Sequence, residues 1–129
     1  GTMNAGNASV AAALATIRIL EREDPYQRMF QLGNKCMDGL RSISREYGLP
    51  LLVQGPGPMF HTGFTRASGV TDFRGSLSYD KQKLGAFISG MHDEGIRIIG
   101  RGLWYISAAH TEEDIDVALD KAATVLRTI

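Results

Sequence analysis

The chain has 129 residues, of which 43% are hydrophobic and 22% are charged, an ordinary composition for a folded domain. Basic and acidic residues both number 14, so no net charge draws the chain to nucleic acid or to an anionic membrane. The single cysteine, Cys36, excludes an internal disulfide and a cysteine-rich zinc site, which fits a reducing cytosol. No apolar run approaches the roughly 18 residues of a membrane span, and no signal peptide is recognisable. We therefore expect one cytoplasmic domain without a metal site.

Two amphipathic helices are predicted in the first third of the chain. Residues 24–27 (Asp-Pro-Tyr-Gln) supply an N-cap aspartate, a first-turn proline and a capping glutamine for the second helix. This helix ends at Gly48, because glycine readily takes the left-handed conformation of a helix C-terminus. The first helix covers residues 7–23, and its apolar residues lie at helical spacing: Val10, Leu14, Ile17 and Leu20.

Short strands are predicted in two pairs. Residues 51–54 and 59–65 are rich in β-forming side chains, and the glycine and proline residues of 55–58 separate them. Residues 96–99 and 103–107 form the second pair, on either side of a Gly-Arg-Gly turn. Pairs of short strands are typical of antiparallel or mixed sheets.

Two further helices complete the pattern. Residues 67–77 are predicted as a polar, glycine-containing loop of the kind that moves or faces a partner. After it, Ser78 or Asp80 caps a third helix that ends at Gly95, and residues 111–114 resemble a capping box at the start of the last helix. We expect an α+β fold of two layers, with about four short strands, helices on one face, and a long helix ahead of this unit.

Five features in one order connect the chain to a known family. They are a Gly-Thr turn leading to an alanine-rich helix (residues 1–17), a long helix ending in Tyr-Gly (47–48), the sequence Gly-Pro-Met-Phe (57–60), the helix end Gly-Met-His-Asp-Glu-Gly-Ile (90–96), and Ala-His-Thr-Glu-Glu-Asp-Ile-Asp (109–116). Together they resemble the C-terminal part of class III, fold-type-I pyridoxal-phosphate aminotransferases and of the glutamate-1-semialdehyde 2,1-aminomutases in that group.

The resemblance implies a domain division and a cofactor. Residues 1–23 would be a helix that links to a missing large domain, and residues 24–129 would be the C-terminal small domain. In the family, the large domain holds the Schiff-base lysine and the aspartate that pairs with the pyridine nitrogen. The four lysines of this chain lie on polar helix faces, outside the loop context of a Schiff base. We therefore expect pyridoxal phosphate in the parent enzyme, none bound to this chain alone, and no catalytic residue here.

Gly1 and Thr2 are the candidate cofactor-binding residues. In the family, the threonine of this Gly-Thr turn donates to the cofactor phosphate across the dimer interface, so the resemblance implies the same role for Thr2. Hydroxyl groups and backbone amides at a helix start suit an anion. The alternative interpretation is a plain turn at the start of the chain.

Arg101 is the candidate substrate-binding residue. It stands between two glycines just before Trp104 and Tyr105, where its guanidinium can bind a carboxylate through two hydrogen bonds. Many family members carry a carboxylate-binding arginine near this point. Arg97 is a competing position, and a solvated arginine at a strand end is the simpler alternative. His61 and His110 lack metal-ligand spacing and a neighbouring nucleophile, and we assign them structural roles.

Two functional hypotheses follow. The first is a fragment of an aminotransferase or aminomutase acting on a carboxylate-bearing amino acid or amino aldehyde, and inactive without its cofactor domain. The second is a free-standing α+β module for binding or oligomerisation. Both predict self-association, because the removal of a large domain exposes apolar surface.

Overall fold

The structure is a computed structural model that describes residues Gly6–Ile129. It confirms the α+β class. The elements in chain order are α1 (Asn7–Glu23), α2 (Tyr26–Glu46), β1 (Leu51–Gln54), β2 (Met59–Phe64), α3 (Phe73–Ser76), α4 (Lys81–Asp93), β3 (Leu103–Tyr105) and α5 (Glu112–Leu126). Among the helices of this described part, none combines the length and the apolar character that a membrane crossing requires.

Helix α2 is the central helix of the fold. Its apolar stripe is buried against α5 and strands β1 and β2, because side chains spaced three and four residues apart share one face. The helix ends as predicted: Gly48 follows Tyr47 with a φ of 65°. The thiol of Cys36 lies within this buried stripe, and burial raises its pKa to about 12.

The junction between α1 and α2 differs from the prediction. Asp24 does not cap α2; it ends α1 in a left-handed conformation with a φ of 39°, and its backbone N–H donates to the carbonyl of Leu20. Pro25 occupies the N-cap position of α2, with no side-chain cap bond. The predicted capping role was wrong because aspartate also tolerates the left-handed conformation, which here serves to separate two consecutive helices.

The sheet contains three antiparallel strands in the order β1-β2-β3, and the prediction of about four was close. The fourth predicted strand, residues 96–99, is not formed. Only Ile99 makes a bridge, and its partner is Leu103 in the same hairpin. Ile98 is nevertheless buried, so the apolar run contributes to the core without a strand of its own. A short apolar run is compatible with either outcome.

Strand β2 divides its side chains between the two faces of the sheet. Phe60, Thr62 and Phe64 point toward the helices, where Phe60 stacks on Trp104 at a ring-centroid distance of 5.4 Å. Phe87 of α4 packs edge-on against Phe64, with centroids 6.1 Å apart. We call this the core face. The alternate residues point to the opposite side, the outer face.

The segment predicted as a loop contains structure. Helix α3 begins after Asp72, whose carboxylate accepts a hydrogen bond from the backbone of Gly75 at 2.7 Å. The side-chain amide of Gln54, on β1, makes hydrogen bonds to both backbone groups of Val70. These contacts hold residues 66–80 against the outer face of the sheet.

The other predicted helix caps are present. Asp80 caps α4, because its carboxylate accepts from the backbone of Lys83 at 3.0 Å, and Ser78 does not. Thr111 and Asp114 form the capping box of α5. The backbone hydrogen bond from Thr111 lowers the pKa of Asp114, in agreement with this contact.

Candidate functional site

The turn that carries Arg101 is held by a buried threonine. The backbone N–H of Thr62 donates to the carbonyl of Gly102 at 2.8 Å, and the threonine hydroxyl lies 3.2 Å from the same oxygen. The Thr62 hydroxyl also accepts from the indole N–H of Trp104 at 3.1 Å. Gly102 has a φ of 79°, and a Cβ there would lie 2.2 Å from the carbonyl oxygen of Thr62. The Gly100–Gly102 turn therefore has a defined shape, with Arg101 exposed at its tip.

A stacked aromatic pair lies next to this turn on the outer face. The rings of His61 and Tyr79 have centroids 5.2 Å apart and planes that differ by 19°, and the Tyr79 hydroxyl lies 3.4 Å from Nδ1 of His61. Tyr79 can approach because Gly63 has no side chain: a Cβ there would lie 2.7 Å from the tyrosine ring. Burial lowers the pKa of His61, and a backbone hydrogen bond with Arg101 partly opposes this shift. Neutral imidazole is therefore favoured at this position.

These residues line a pocket of about 520 Å³ at the β3 edge of the sheet, which we name the Arg101 pocket. Its floor and walls are largely apolar, with contributions from β3, α3 and α4. Two cations, Lys81 and Arg101, also line it. The full lining consists of His61, Phe73, Ser76, Tyr79, Lys81, Leu84, Gly85, Ile88, Gly100, Arg101 and Leu103.

Arg97 lies at a different pocket from Arg101. That pocket, of about 440 Å³, is also lined by Tyr105 and His110, and it contains the acidic side chains of Glu113 and Asp114. An arginine whose pocket is also lined by two carboxylates is less available to an external carboxylate than one whose pocket lining has only basic charged residues. The geometry therefore favours Arg101 over Arg97.

The other residues singled out from the sequence are dispersed. Nδ1 of His110 lies 2.9 Å from both the backbone N–H and the hydroxyl of Ser107, ahead of α5, which is a turn contact. Gly1 and Thr2 lie outside the described residues.

Three of the four lysines make ion pairs or hydrogen bonds with other parts of the chain. Lys35 makes a 2.7 Å ion pair with Asp116, and this hydrogen bond raises the pKa of Lys35, which keeps the amine protonated and poorly nucleophilic. Lys121 donates to the carbonyl of Glu94, and Lys83 lies 3.4 Å from the carbonyl of Ile129. Lys81 lines the Arg101 pocket, whose described lining has no carboxylate to pair with a pyridine nitrogen.

Sequence reasoning missed most of the pocket. The sequence analysis treated Lys81 only as a lysine on a polar helix face, and it gave no site role to Tyr79, Leu84 or Ile88. One signal was available: Gly63 interrupts a β-rich run, and a glycine inside a strand often marks the close approach of another group. The identity of that group, Tyr79, is not readable from the pattern.

The comparisons with known proteins point to one family, although no protein-family model matches the chain. A glutamate-1-semialdehyde 2,1-aminomutase of Desulfitobacterium hafniense (strain Y51) is 35% identical over all of this chain and 30% of its own length. An enzyme of the same name from Persephonella marina is 32% identical over 95% of this chain and 29% of its own length. Among solved structures, a transaminase with pyridoxal phosphate bound is 27% identical, has a TM-score of 0.80, and is matched over 99% of this chain and 28% of that one.

The chain thus spans about 30% of the length of the curated relatives that it matches. Over that span the match is continuous in sequence and in fold. It corresponds to the C-terminal part of these enzymes, as the five sequence features predicted.

Proposed function

From the membership of this chain in the class III pyridoxal-phosphate-dependent aminotransferase family, we propose that it works as the C-terminal small domain of an aminotransferase or aminomutase. The observation that carries this proposal is the match over the whole chain to glutamate-1-semialdehyde 2,1-aminomutases. In this proposal residues 1–23 link the small domain, residues 24–129, to a larger cofactor domain. The complete protein acts in the cytoplasm on a carboxylate-bearing amino acid or amino aldehyde.

Helix α1 supports the idea of a larger partner domain. Within the described residues it packs against no other element and buries none of its side chains, although it is amphipathic. Val10, Leu14 and Ile17 remain about half exposed along one side. A helix with an apolar stripe gains stability when another element packs on that stripe. The family match suggests that the larger cofactor domain packs there.

A second exposed apolar group supports the same proposal. Phe30, at the start of α2, packs beside the turn at Gly57, and the neighbouring strand ends carry Met59 and Tyr105, which pair across β2 and β3. All three large side chains are about half exposed. Exposed large apolar side chains are frequent at interaction surfaces.

Arg101 is the residue through which the small domain contacts substrate in this proposal. Its guanidinium binds the substrate carboxylate through two parallel hydrogen bonds and so fixes the orientation of the amino-bearing carbon. The turn supplies rigidity, because Thr62 and Gly102 hold the backbone on which Arg101 is mounted. Pyridoxal phosphate, bound by the other domain, supplies the electron sink of the reaction.

Thr2 and Gly1 have a cofactor role in the same proposal. The Thr2 hydroxyl and the backbone amides of Gly1 and Thr2 donate to the phosphate of pyridoxal phosphate in a neighbouring subunit. The complete enzyme is then a homo-oligomer, at least a dimer, because each site needs residues from two subunits.

The test uses the uninterrupted reading frame that encodes this chain, expressed as one protein with pyridoxal phosphate. We expect amino-group transfer from a carboxylate-bearing donor. The Arg101→Ala variant should raise KM for that donor at least tenfold, because the guanidinium clamp is lost. The matched control is Arg97→Ala, at another exposed arginine four residues away, which should leave KM within about twofold.

Two outcomes would contradict the proposal. One is a reading frame that begins at this segment and lacks a cofactor domain with a Schiff-base lysine; that result favours the free-standing module. The other is a complete protein that binds pyridoxal phosphate but transfers no amino group from any carboxylate-bearing donor tried.

A further inference from the structure

The Arg101 pocket combines a basic rim with an apolar interior. Lys81 and Arg101 are both exposed residues that line it, and within Gly6–Ile129 neither makes an ion pair. None of the described lining residues is acidic. Two cations in a pocket whose lining has no carboxylate attract an anion, and the planar guanidinium of Arg101 matches a carboxylate in shape.

The interior suits an apolar group larger than a methyl. Leu84 and Ile88 stand one helical turn apart on α4, and Leu103 lies on the facing edge strand. Phe73 is at the rim and is 77% exposed, which is unusual for an aromatic side chain without a ligand or partner. The volume of about 520 Å³ lies within the range of small-molecule sites.

The remaining wall is aromatic and pre-formed. The stacked rings of His61 and Tyr79 are held by the close approach of Tyr79 to Gly63. A fixed wall of flat rings accommodates another flat or branched apolar group at little entropic cost. Segment 66–80, which supplies Tyr79, is itself fastened by Gln54 and by the hydrogen bond from the Asp80 backbone to Phe64.

We infer that the Arg101 pocket binds a carboxylate with an apolar body, whose carboxylate pairs with Arg101 and Lys81 and whose aryl or branched alkyl group lies on the His61–Tyr79 wall. This inference rests on the proposed function for its meaning in catalysis: it names the substrate of the complete enzyme as an apolar amino acid or its keto acid. Binding itself requires only the residues of this chain.

The test is ligand binding to the chain as it stands. Amide and side-chain NMR shifts and calorimetry are followed during titration with 3-phenylpropionate. Two matched probes distinguish recognition of the carboxylate from recognition of the apolar group: 3-phenylpropionamide has the aryl group without the charge, and propionate has the carboxylate without the aryl group. We expect saturable binding of 3-phenylpropionate, with shifts at His61, Tyr79 and Arg101, and at least tenfold weaker binding of both matched probes.

Variants test the residues separately. Arg101→Ala should weaken 3-phenylpropionate binding at least tenfold. Arg101→Lys should weaken it less, because lysine keeps the positive charge but lacks the two parallel N–H donors of the guanidinium. Ile88→Asp places an acidic group in the apolar wall and should also weaken it at least tenfold. Arg97→Ala is the control and should bind normally. The NMR spectrum of each variant shows whether the fold is retained.

The inference is overturned if 3-phenylpropionate causes no saturable shifts at these residues, if propionate binds as tightly, or if Arg97→Ala weakens binding as much as Arg101→Ala. These results are separate from those of the proposed function. A complete protein that transfers no amino group while this chain binds 3-phenylpropionate contradicts only the proposed function. A complete protein active only on donors without an apolar body contradicts only the inference.

Discussion

Alternating residues of strand β2 lie on opposite faces of the sheet, and the two sets have different roles. On the core face Phe60, Thr62 and Phe64 are almost completely buried and pack under the helices. On the outer face His61 is half-buried and stacks on Tyr79, beside the pocket that Arg101 lines. A shift of one residue in register would exchange the two sets.

This comparison shows how the core supports the candidate site. Thr62 belongs to the core face, yet its hydroxyl and backbone hold the Gly100–Gly102 turn that presents Arg101 to the opposite side. The stability of one face and the geometry of the other are therefore linked at Thr62. Variants of the core face should change the free energy of unfolding most, whereas variants of the outer face should have smaller effects on stability and should change pocket geometry and ligand binding.

The largest difference in the free energy of unfolding is expected between the alanine variants of two phenylalanines. Phe87→Ala removes a completely buried ring that packs on Phe64 and Trp104, and we expect a loss of about 3–5 kcal/mol in the free energy of unfolding. Phe73→Ala, at the pocket rim, should cost less than about 0.5 kcal/mol. Urea unfolding followed by Trp104 fluorescence measures both. Equal losses for the two variants would contradict the division between the faces.

Thr62→Val tests the link between the faces. The substitution keeps the shape but leaves the buried indole N–H of Trp104 without its acceptor, at a cost of about 1–3 kcal/mol. The Arg101 turn should also loosen, with faster amide exchange at Gly102. Thr71→Val, at an exposed position, is the control. A fully stable Thr62→Val protein with unchanged exchange would show that the hydroxyl does not hold the turn.

Two glycines should respond in opposite directions to alanine. At Gly63 the new methyl group meets the Tyr79 ring, so the His61–Tyr79 stack should separate, with a cost of about 1 kcal/mol or more. At Gly85, inside helix α4, a Cβ meets nothing within 4 Å, and alanine should stabilise the protein by about 0.5–1 kcal/mol. Thermal unfolding and the ring-current shifts of Tyr79 measure the two effects. Stabilisation by both substitutions would contradict the close approach at Gly63.

The smallest expected effect is the pH dependence of stability that His61 causes on the outer face. Burial lowers the pKa of His61 in the folded state, so the unfolded chain binds a proton more readily there. The stability that neutral His61 provides is complete above about pH 6.5 and is lost as the pH falls toward the lower folded pKa. His61→Gln should reduce this decline in the free energy of unfolding between pH 8 and pH 5. An NMR titration of His61 at or above the usual histidine pKa would contradict it.

The local elements of the fold were largely predictable because they depend on neighbours in sequence. The helix stop at Gly48 and the capping box at Thr111 and Asp114 follow from residue order and are present. Residue order narrowed the cap of α4 to Ser78 or Asp80, and the structure shows Asp80. The strand at residues 96–99 and the cap at Asp24 were wrong, because each pattern was compatible with two local structures. Tertiary packing chose between them.

The sequence by itself determined the fold class, the family and the candidacy of Arg101, since these depend on periodicity, on turn residues and on ordered motifs. The tertiary structure alone decided which arginine lines a pocket whose lining has no acidic residue, and which groups surround that arginine. His61, Tyr79, Leu84 and Arg101 come from four separate elements or connections, and their distances are set by strand register and by the close contact at Gly63. Long-range contacts of this kind have no periodic signature in the chain, so the apolar interior of the Arg101 pocket appears only when the sheet and helix α4 are in place.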